Sequence, residues 1–84
     1  MDKIEFMRLR PGDIVYDRRG KGNYRKIKEI RYFEVEPYEP CGYTVQSLRP
    51  NGVFKNFCGK ICKNRKEIGI YPYMAMHFDK FAKA

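Results

Sequence analysis

Short runs of alternating apolar and polar residues, separated by glycine, proline and asparagine, make up most of this chain. Such runs are typical of short antiparallel strands joined by turns. The pattern predicts five strands, over residues 13–17, 24–36, 43–48, 53–57 and 68–71. The residues between the first four strands are rich in turn formers, at positions 18–23, 36–42 and 50–52. The predicted fold class is therefore mainly β: a small five-stranded antiparallel barrel with a short C-terminal helix.

The second predicted strand departs from strict alternation. Ile27 and Ile30 would point to opposite faces of a regular strand. A bulge near Lys28 would bury both, and it would also bend the strand as a small barrel requires. A helix over residues 25–33 is the alternative, with apolar positions at Ile27, Ile30 and Phe33. The preceding glycine turn and the aromatic, β-branched ending favour the strand.

The N-terminus allows two interpretations. Asp2 and Glu5 are three residues apart, the spacing of a capping box, which predicts a helical turn over residues 3–8. The alternation of Ile4 and Phe6 allows a short strand instead.

The C-terminus shows the spacing of a helix. Pro72 suits a first helical position. Four side chains would then share one face of a helix over residues 72–83: Met74, His77, Phe78 and Phe81. This helix would bury Phe81 and cover one open end of the barrel.

One segment resembles a known family. The sequence LRPGDIVYD, followed by a glycine turn and a β-branched strand, resembles the opening of SH3-like small barrels of the KOW and Tudor type. The matching positions are Gly12, Asp13, Val15, Gly20 or Gly22, and Ile27 or Ile30, and the resemblance covers about residues 9–58. It implies a partially open five-stranded barrel with binding loops at one rim, and no particular ligand.

The length of the chain bounds its organisation. Its 84 residues predict a single domain over residues 1–84, SH3-like if the resemblance holds, with the barrel over residues 9–71. No apolar run reaches the roughly 18 residues that a membrane span needs. The charged N-terminus lacks the apolar segment of a signal peptide. These features predict a cytoplasmic protein without a membrane partner.

The net charge of +8 favours a polyanionic partner, nucleic acid before an acidic protein. The basic residues fall into two segments: seven lie in residues 18–31, opposed only by Glu29, and six lie in residues 49–66, which contain no acidic residue. Residues 32–48 between them carry three glutamates and no lysine or arginine. This segregation predicts a basic nucleic-acid-binding domain that contacts the phosphate backbone through its glycine-rich hairpin.

The candidate contacts follow from this division. The predicted phosphate contacts are Arg18, Arg19, Lys21 and Lys26, with Lys63, Arg65 and Lys66 as a second patch. Tyr24, at the exit of the glycine loop, is the predicted stacking residue, and a place in the barrel interior is its alternative role. The alternative function is a protein-interaction module, an adaptor or inhibitor that binds an acidic protein surface or a larger nucleic-acid-processing complex.

Groups suited to catalysis are scarce. Ser47 lacks the flanking glycines of a nucleophile elbow. His77, the single histidine, lies among apolar positions, where a core histidine is the commoner case. The sequence therefore predicts a protein that is not an enzyme and has no small-molecule substrate.

Three cysteines, Cys41, Cys58 and Cys62, are an odd number, which argues against a full disulfide framework. A zinc site formed by these thiols and His77 is conceivable. Structural zinc sites, however, commonly use two tightly spaced pairs, and this chain has one wider pair. The sequence therefore predicts reduced, metal-free thiols and no cofactor.

Overall fold

Antiparallel strands form most of the protein. This computed structural model describes residues 1–20, 23–49, 52, 54–55, 61–62 and 67–81. Along the chain the elements are α1 (Lys3–Phe6), β1 (Ile14–Asp17), β2 (Tyr24–Tyr32), β3 (Pro40–Ser47), β4 (Phe54–Lys55), β5 (Ile61–Cys62), β6 (Glu67–Ile70), a 3₁₀ helix (Pro72–His77) and β7 (Phe78–Lys80).

Five of these strands share one sheet, in the order β6-β3-β2-β1-β7, and β4 pairs with β5 separately. All of the pairings are antiparallel. The prediction of a mainly β fold with a five-stranded antiparallel sheet is confirmed. Within the described residues no pairing joins β6 to β7, so the sheet is open and the closed barrel stays a prediction.

The bulge predicted in β2 is confirmed. Ile27 pairs with Val45 and Glu29 pairs with Thr44, so the register shifts by one residue between them. Ile27 is only 1% exposed, and Ile30 packs partly buried against the core. The extra residue therefore lets both isoleucines face the same side, as their spacing requires.

The loop of the β2–β3 hairpin lies earlier in the chain than the sequence predicted. β2 ends at Tyr32 rather than at residue 36, and β3 begins at Pro40 rather than at residue 43. The amide of Phe33 donates to the carbonyl of Glu39 over 2.9 Å, which closes the loop at its base. Proline does not end the pairing here because it stands at the first position of its strand, where proline is tolerated.

One side of the sheet carries the core. Its buried members are Phe6, Leu9, Val15, Ile27, Tyr43, Val45, Phe54, Ile70, Ala75 and Phe78. α1 and the 3₁₀ helix supply Phe6 and Ala75, so both helices cover this side. The capping box of Asp2 and Glu5 is present, which confirms the helical interpretation of the N-terminus.

The predicted C-terminal helix is wrong beyond His77. Phe78 has extended backbone angles and starts β7, which pairs with β1 through Asp17 opposite Phe78. Residues 78–80 thus hydrogen-bond to a strand edge that a helix would leave unpaired. Ala75 of the 3₁₀ helix and Phe78 of β7 are both buried, whereas Phe81 is 40% exposed.

The later strands agree only in part with the sequence pattern. The fifth predicted strand corresponds to β6, and the fourth is represented by β4. Predictions for residues 50–51, 53, 56–60 and 63–66 fall outside the described residues, and so does the end of the C-terminal prediction, residues 82–84. In the described part of the chain, no helix has the length and apolar character needed to cross a membrane.

Candidate nucleic-acid interface

The side of the sheet opposite the core forms a second surface, which we call the outer face. Directly paired residues of antiparallel strands point to the same side of a sheet. Lys26 pairs with Ile14 on one side and with Gln46 on the other, and Gln46 pairs in turn with Glu67. These four side chains therefore form one row across the outer face, and both helices lie on the opposite side of the sheet.

The outer face continues along β2 past the bulge. Gln46, Thr44 and Gly42 alternate along β3, so they share a face. Their partners on β2 are Lys26, Glu29 and Arg31. Because the bulge shifts the register by one residue, Lys26, Glu29 and Arg31 lie on one face together with Tyr24.

Three aromatic rings meet at one end of the outer face. Tyr16 pairs with Tyr24 across β1 and β2, and their ring centroids are 5.0 Å apart. The ring of Phe81 meets that of Tyr24 edge-on, also at 5.0 Å. Tyr24 is 36% exposed and Phe81 40% exposed. We call Tyr16, Tyr24 and Phe81 the aromatic cluster; it offers ring surface to a ligand on an otherwise polar face.

A buried ion pair lies on the core side of the same hairpin. Asp17 Oδ2 is 3.0 Å from the guanidinium of Arg25, with the side chains 1% and 5% exposed. Arg19 also binds Asp17 in a bidentate manner, with Nε 2.9 Å from Oδ1 and NH2 2.8 Å from Oδ2. The Arg25 guanidinium lies 5.0 Å from the ring centroid of Phe54 and 5.9 Å from that of Phe78. This ion pair fixes the hairpin to the core.

The environment of Asp17 sets its charge. Burial acts to raise the pKa of this carboxyl group, but the hydrogen bonds from Arg19 and the positive charge of Arg25 outweigh it. The pKa of Asp17 consequently lies below its ordinary value. The hydrogen bond to Asp17 likewise raises the pKa of Arg19. The ionised pair is therefore the stable form at neutral pH.

Two of the predicted phosphate contacts have protein partners. The side chain of Arg18 is 52% exposed, and its Nε is 3.5 Å from Asp79 Oδ2. Its NH2 group also donates to the carbonyl of Met76. Arg19 is mostly enclosed, and its guanidinium is engaged by Asp17. We therefore keep Arg18 in the candidate interface and assign Arg19 to the support of the hairpin.

Of the five remaining predicted phosphate contacts, the structure describes one, Lys26. Lys26 is exposed on the outer face, two residues beyond Tyr24. The other predicted cations lie outside the described residues: Lys21, Lys63, Arg65 and Lys66. The structure thus brings together Arg18, Tyr24 and Lys26 around the β1–β2 hairpin.

Sequence analysis missed two members of the aromatic cluster. The pairing of Tyr16 with Tyr24 follows from the β1–β2 register, and a hairpin drawn around residues 17–23 would have revealed it. Phe81 had no such signal, because the helix spacing placed it in the core. Only the pairing of β7 with β1 carries Phe81 to the outer face beside Tyr24.

The single serine and threonine have roles within the fold. Ser47 is 6% exposed, and its Oγ accepts a hydrogen bond from the amide of Arg49 over 3.2 Å. Thr44 Oγ1 accepts one from Arg31 Nε over 2.7 Å. His77 is half-buried at the end of the 3₁₀ helix. In these contacts neither hydroxyl is paired with a general base that could activate it as a nucleophile.

Of the three cysteine side chains, the structure describes that of Cys41. Cys41 is a half-buried free cysteine. Cys58 and the side chain of Cys62 lie outside the described residues, so the zinc alternative stays open at these positions. Within the described ranges, no three histidine, cysteine, aspartate or glutamate side chains are grouped as metal ligands.

No protein-family model, curated protein or solved structure matches this chain. Its function is therefore inferred from the geometry of its own surface.

Proposed function

We propose that this protein is a small nucleic-acid-binding domain whose contact surface is the outer face of the sheet around the β1–β2 hairpin. The observation that supports this most directly is the aromatic cluster. Tyr24 and Phe81 expose ring surface on a sheet face that no described element covers, and exposed Lys26 stands beside them. The net charge of +8 supplies the long-range attraction to a polyanion.

The aromatic cluster would contact bases. Every nucleobase has a π-face, so stacking on Tyr24 and Phe81 tolerates any sequence. The ring of Tyr16 holds that of Tyr24 in place, since the two centroids are 5.0 Å apart across the strands. Ring surface that is already ordered loses little conformational entropy on binding, which favours affinity.

The neighbouring cations would contact phosphates. Lys26 lies along the same strand as Tyr24, and its ammonium group is a mobile point charge suited to a phosphate oxygen. Arg18 is paired with Asp79, but both side chains are 52% exposed, and such surface pairs contribute little. A phosphate can therefore replace Asp79 as the partner of Arg18 at low cost.

This proposal describes a binding protein rather than an enzyme, acting in the cytoplasm without a small-molecule substrate or cofactor. Contacts to phosphates and to the π-faces of bases position a nucleic acid without cleaving it. Among the described residues, no serine or threonine hydroxyl is paired with a general base that could activate it. The cytoplasmic location is part of the same proposal, because it is a compartment in which nucleic acid is accessible.

The test is a titration of fluorescently labelled oligonucleotides with wild-type protein and two variants. Tyr24→Ala removes the stacking ring and should weaken binding by roughly 5- to 100-fold, the usual effect of losing one stacked base. Lys26→Ala should weaken binding to all sequences and reduce the slope of log affinity against log salt by about 0.7 to 0.9.

Two substitutions serve as matched controls. Lys3→Ala removes the same charge from α1, on the core side of the sheet, and Tyr38→Ala removes an exposed tyrosine from the β2–β3 loop. Both should bind like wild type. Equal weakening by Lys26→Ala and Lys3→Ala would show that net charge alone acts, and an absence of binding at low salt would reject the proposal.

A protein-interaction module is the second candidate, and the β2–β3 loop supports it. Phe33, Val35 and Tyr38 are 55%, 70% and 55% exposed there, more apolar surface than an isolated loop usually shows. An apolar groove of about 420 Å³ adjoins the loop, lined by Met7, Phe33, Pro40, Cys41, Tyr71, Pro72 and Tyr73.

The charge around this loop selects the kind of partner. Residues 32–48 carry Glu34, Glu36 and Glu39 with no lysine or arginine, so the complementary partner is a basic protein segment with an apolar side chain. An acidic partner would instead use the basic segments, as the sequence predicted. Capture of a basic protein that Tyr38→Ala abolishes, together with no oligonucleotide binding, would put this candidate first.

A further inference from the structure

A second platform lies at the other end of the outer face. Arg31 Nε donates to Thr44 Oγ1 over 2.7 Å, and Arg31 NH1 donates to the hydroxyl of Tyr71 over 2.8 Å. The guanidinium carbon is 5.9 Å from the ring centroid of Tyr71. We call Arg31, Thr44 and Tyr71 the Arg31 platform. Its two hydrogen bonds fix the orientation of a planar cation that would otherwise move freely.

Two glycines make room for this platform. A Cβ atom at Gly42 would lie 2.6 Å from the ring of Tyr71, and it would also collide with the carbonyl of Ile70. A Cβ atom at Gly69 would lie 2.7 Å from Arg31 NH1 and 2.8 Å from the hydroxyl of Tyr71. Because neither strand position has a side chain, the guanidinium and the ring lie close against the backbone of β3 and β6.

The Arg31 platform also has open space beside it. A concavity of about 610 Å³ is lined by Glu29, Ile30, Arg31, Tyr32, Phe33, Glu34, Cys41 and Tyr71. The two hydrogen bonds of Arg31 use Nε and NH1, and no hydrogen bond from NH2 occurs among the described residues. An oriented cation with an available N–H group therefore borders a space large enough for a planar group.

The two aromatic sites lie on the same face. Lys26, Glu29 and Arg31 pair with the alternating residues of β3, so Arg31 points to the same side as Tyr24. Tyr24 and Arg31 are seven positions apart along β2, or about 20 Å at roughly 3.3 Å per residue with allowance for the bulge. The outer face thus has two platforms joined by one strand.

We infer that the ligand of the outer face is single-stranded nucleic acid, lying along β2 from the aromatic cluster to the Arg31 platform. This inference rests on the proposed function and names its ligand class and path. Aromatic rings and a flat guanidinium stack on bases that are not already paired within a duplex. One base would stack at the aromatic cluster and another on the guanidinium of Arg31.

A duplex fits the same surface poorly. The outer strands of a five-stranded sheet are about 19 Å apart at roughly 4.8 Å per strand, whereas the major groove of DNA is about 12 Å wide. The sheet is therefore too wide to enter the major groove of a regular duplex with its face, so its rings would not reach the base edges there.

The charges between the platforms also influence the path. Glu29 is exposed on the outer face between Lys26 and Arg31. Its carboxylate repels phosphates, so the bases rather than the phosphates of the ligand cross this position. Lys26 then holds the phosphate that follows the base stacked on Tyr24.

The separation of the platforms sets a length requirement. About 20 Å corresponds to roughly six nucleotide steps at the stacked rise of about 3.4 Å, and to fewer steps in an extended strand. A trinucleotide therefore reaches one platform and an octanucleotide reaches both. Affinity should rise steeply between these lengths and only slowly beyond them.

The experiment measures binding of fluorescein-labelled oligothymidylates of three and eight nucleotides, and of an eight-base-pair duplex. Wild type should prefer the octamer over both the trimer and the duplex. Arg31→Ala should weaken the octamer by ~10-fold, as expected for a lost stacking contact, and leave the trimer unchanged. Tyr24→Ala should weaken both lengths.

Control variants distinguish the effect of the planar guanidinium on binding from the effect of its positive charge and from a loss of folding. Arg31→Lys keeps the positive charge but removes the planar guanidinium, so its affinity for the octamer should be as low as that of Arg31→Ala. Arg8→Ala removes an exposed arginine that follows α1 and should change nothing. Tyr71→Phe keeps the ring but loses the hydrogen bond to Arg31, so it should weaken the octamer alone. Unfolding temperatures identify any variant whose loss reflects misfolding.

The outcomes distinguish this inference from the proposed function. If no oligonucleotide of any length binds, the proposed function itself fails. If the oligonucleotides bind but Arg31→Ala affects the trimer and the octamer equally, or Arg31→Lys restores the octamer, the proposed path is wrong. Tighter binding of the duplex than of the octamer would overturn the assignment to single strands.

Discussion

At the scale of single residues, Asp17 is the buried carboxylate that binds two arginines of the β1–β2 hairpin. Its carboxylate is 1% exposed and binds two arginines, of which Arg25 is 5% exposed. Burying charges is costly unless they are paired and hydrogen-bonded, and breaking such a pair leaves an uncompensated charge in the interior. Loss of Asp17 would therefore lower the free energy of unfolding mainly by removing the ion pair of the buried Arg25.

We expect Asp17→Asn to destabilise the protein at pH 7 by about 3 kcal/mol, because the buried Arg25 would lose its ion pair with Asp17. Urea unfolding measures the change. Asp79→Asn is the matched control, since it removes a carboxylate from the exposed pair with Arg18 and should cost less than about 1 kcal/mol. Equal losses in the two variants would contradict this view of the ion pair.

The same carboxylate predicts the acid sensitivity of the fold. The pKa of Asp17 is lower in the folded state than in the unfolded chain, where it is about 3.9. The stabilisation from its ionised form is therefore fully present above the unfolded value and is lost as the pH falls through the folded value. Asp17→Asn should flatten the decline in unfolding free energy below about pH 4. An unchanged pH profile would assign acid sensitivity to other carboxylates.

At the scale of secondary-structure elements, β7 determines that Phe81 lies on the outer face. It pairs with β1, places Phe78 in the core at 0% exposure and leads directly to Phe81 on the outer face. Adjacent strand residues point to opposite faces, so three residues suffice to move the chain from the core to the interface. A helix over the same residues would have placed both phenylalanines on one face.

We expect Phe78→Ala to lower the unfolding free energy by about 3 to 5 kcal/mol, the usual cost of removing a buried phenylalanine. Phe81→Ala should cost only about 1 kcal/mol, the scale of one aromatic pair at a half-exposed site, while it weakens oligonucleotide binding. Chemical unfolding of both variants measures the difference. Similar large losses from the two substitutions would indicate that Phe81 is buried, as in the helix that the spacing suggested.

At the scale of the whole molecule, positive and negative charges are concentrated at opposite ends of β2. The aromatic cluster and Lys26 lie at the β1–β2 end of the outer face, while the three glutamates of residues 32–48 surround the β2–β3 loop at the other end of β2. The long-range attraction for a polyanion is therefore strongest at the first end, and the glutamates weaken it at the second. If the protein binds nucleic acid as proposed, this separation would orient the ligand before any specific contact forms.

We expect the chain to unfold as one cooperative unit that needs no metal. Far-ultraviolet circular dichroism and tyrosine fluorescence should give the same transition, as two-state unfolding of a single domain requires. A chelator should leave the unfolding temperature unchanged, because the thiols are predicted to be reduced and metal-free. Stoichiometric zinc in the purified protein, with unfolding on chelation, would contradict this prediction.

The sequence by itself determined the features that depend on near neighbours. The strands β1 and β6 and the bulge near Lys28 follow from local spacing and turn residues, and the structure confirms each. The spacing of Asp2 and Glu5 left a helical turn and a short strand open at the N-terminus, and the structure has the helical turn. Tyr24 and Lys26 share a face because strand geometry has a period of two, so the centre of the candidate interface was also predictable.

Only the tertiary structure decided the features that depend on distant residues. Phe81 joins Tyr24 because β7 satisfies the free edge of β1, and Arg19 is drawn from solvent because Asp17 is buried beside Arg25. Arg31 lies flat because Gly42 and Gly69, on two other strands, leave space for it and for Tyr71. Periodicity describes one segment at a time, whereas strand pairing, burial of charge and steric fit each require knowing which segments meet.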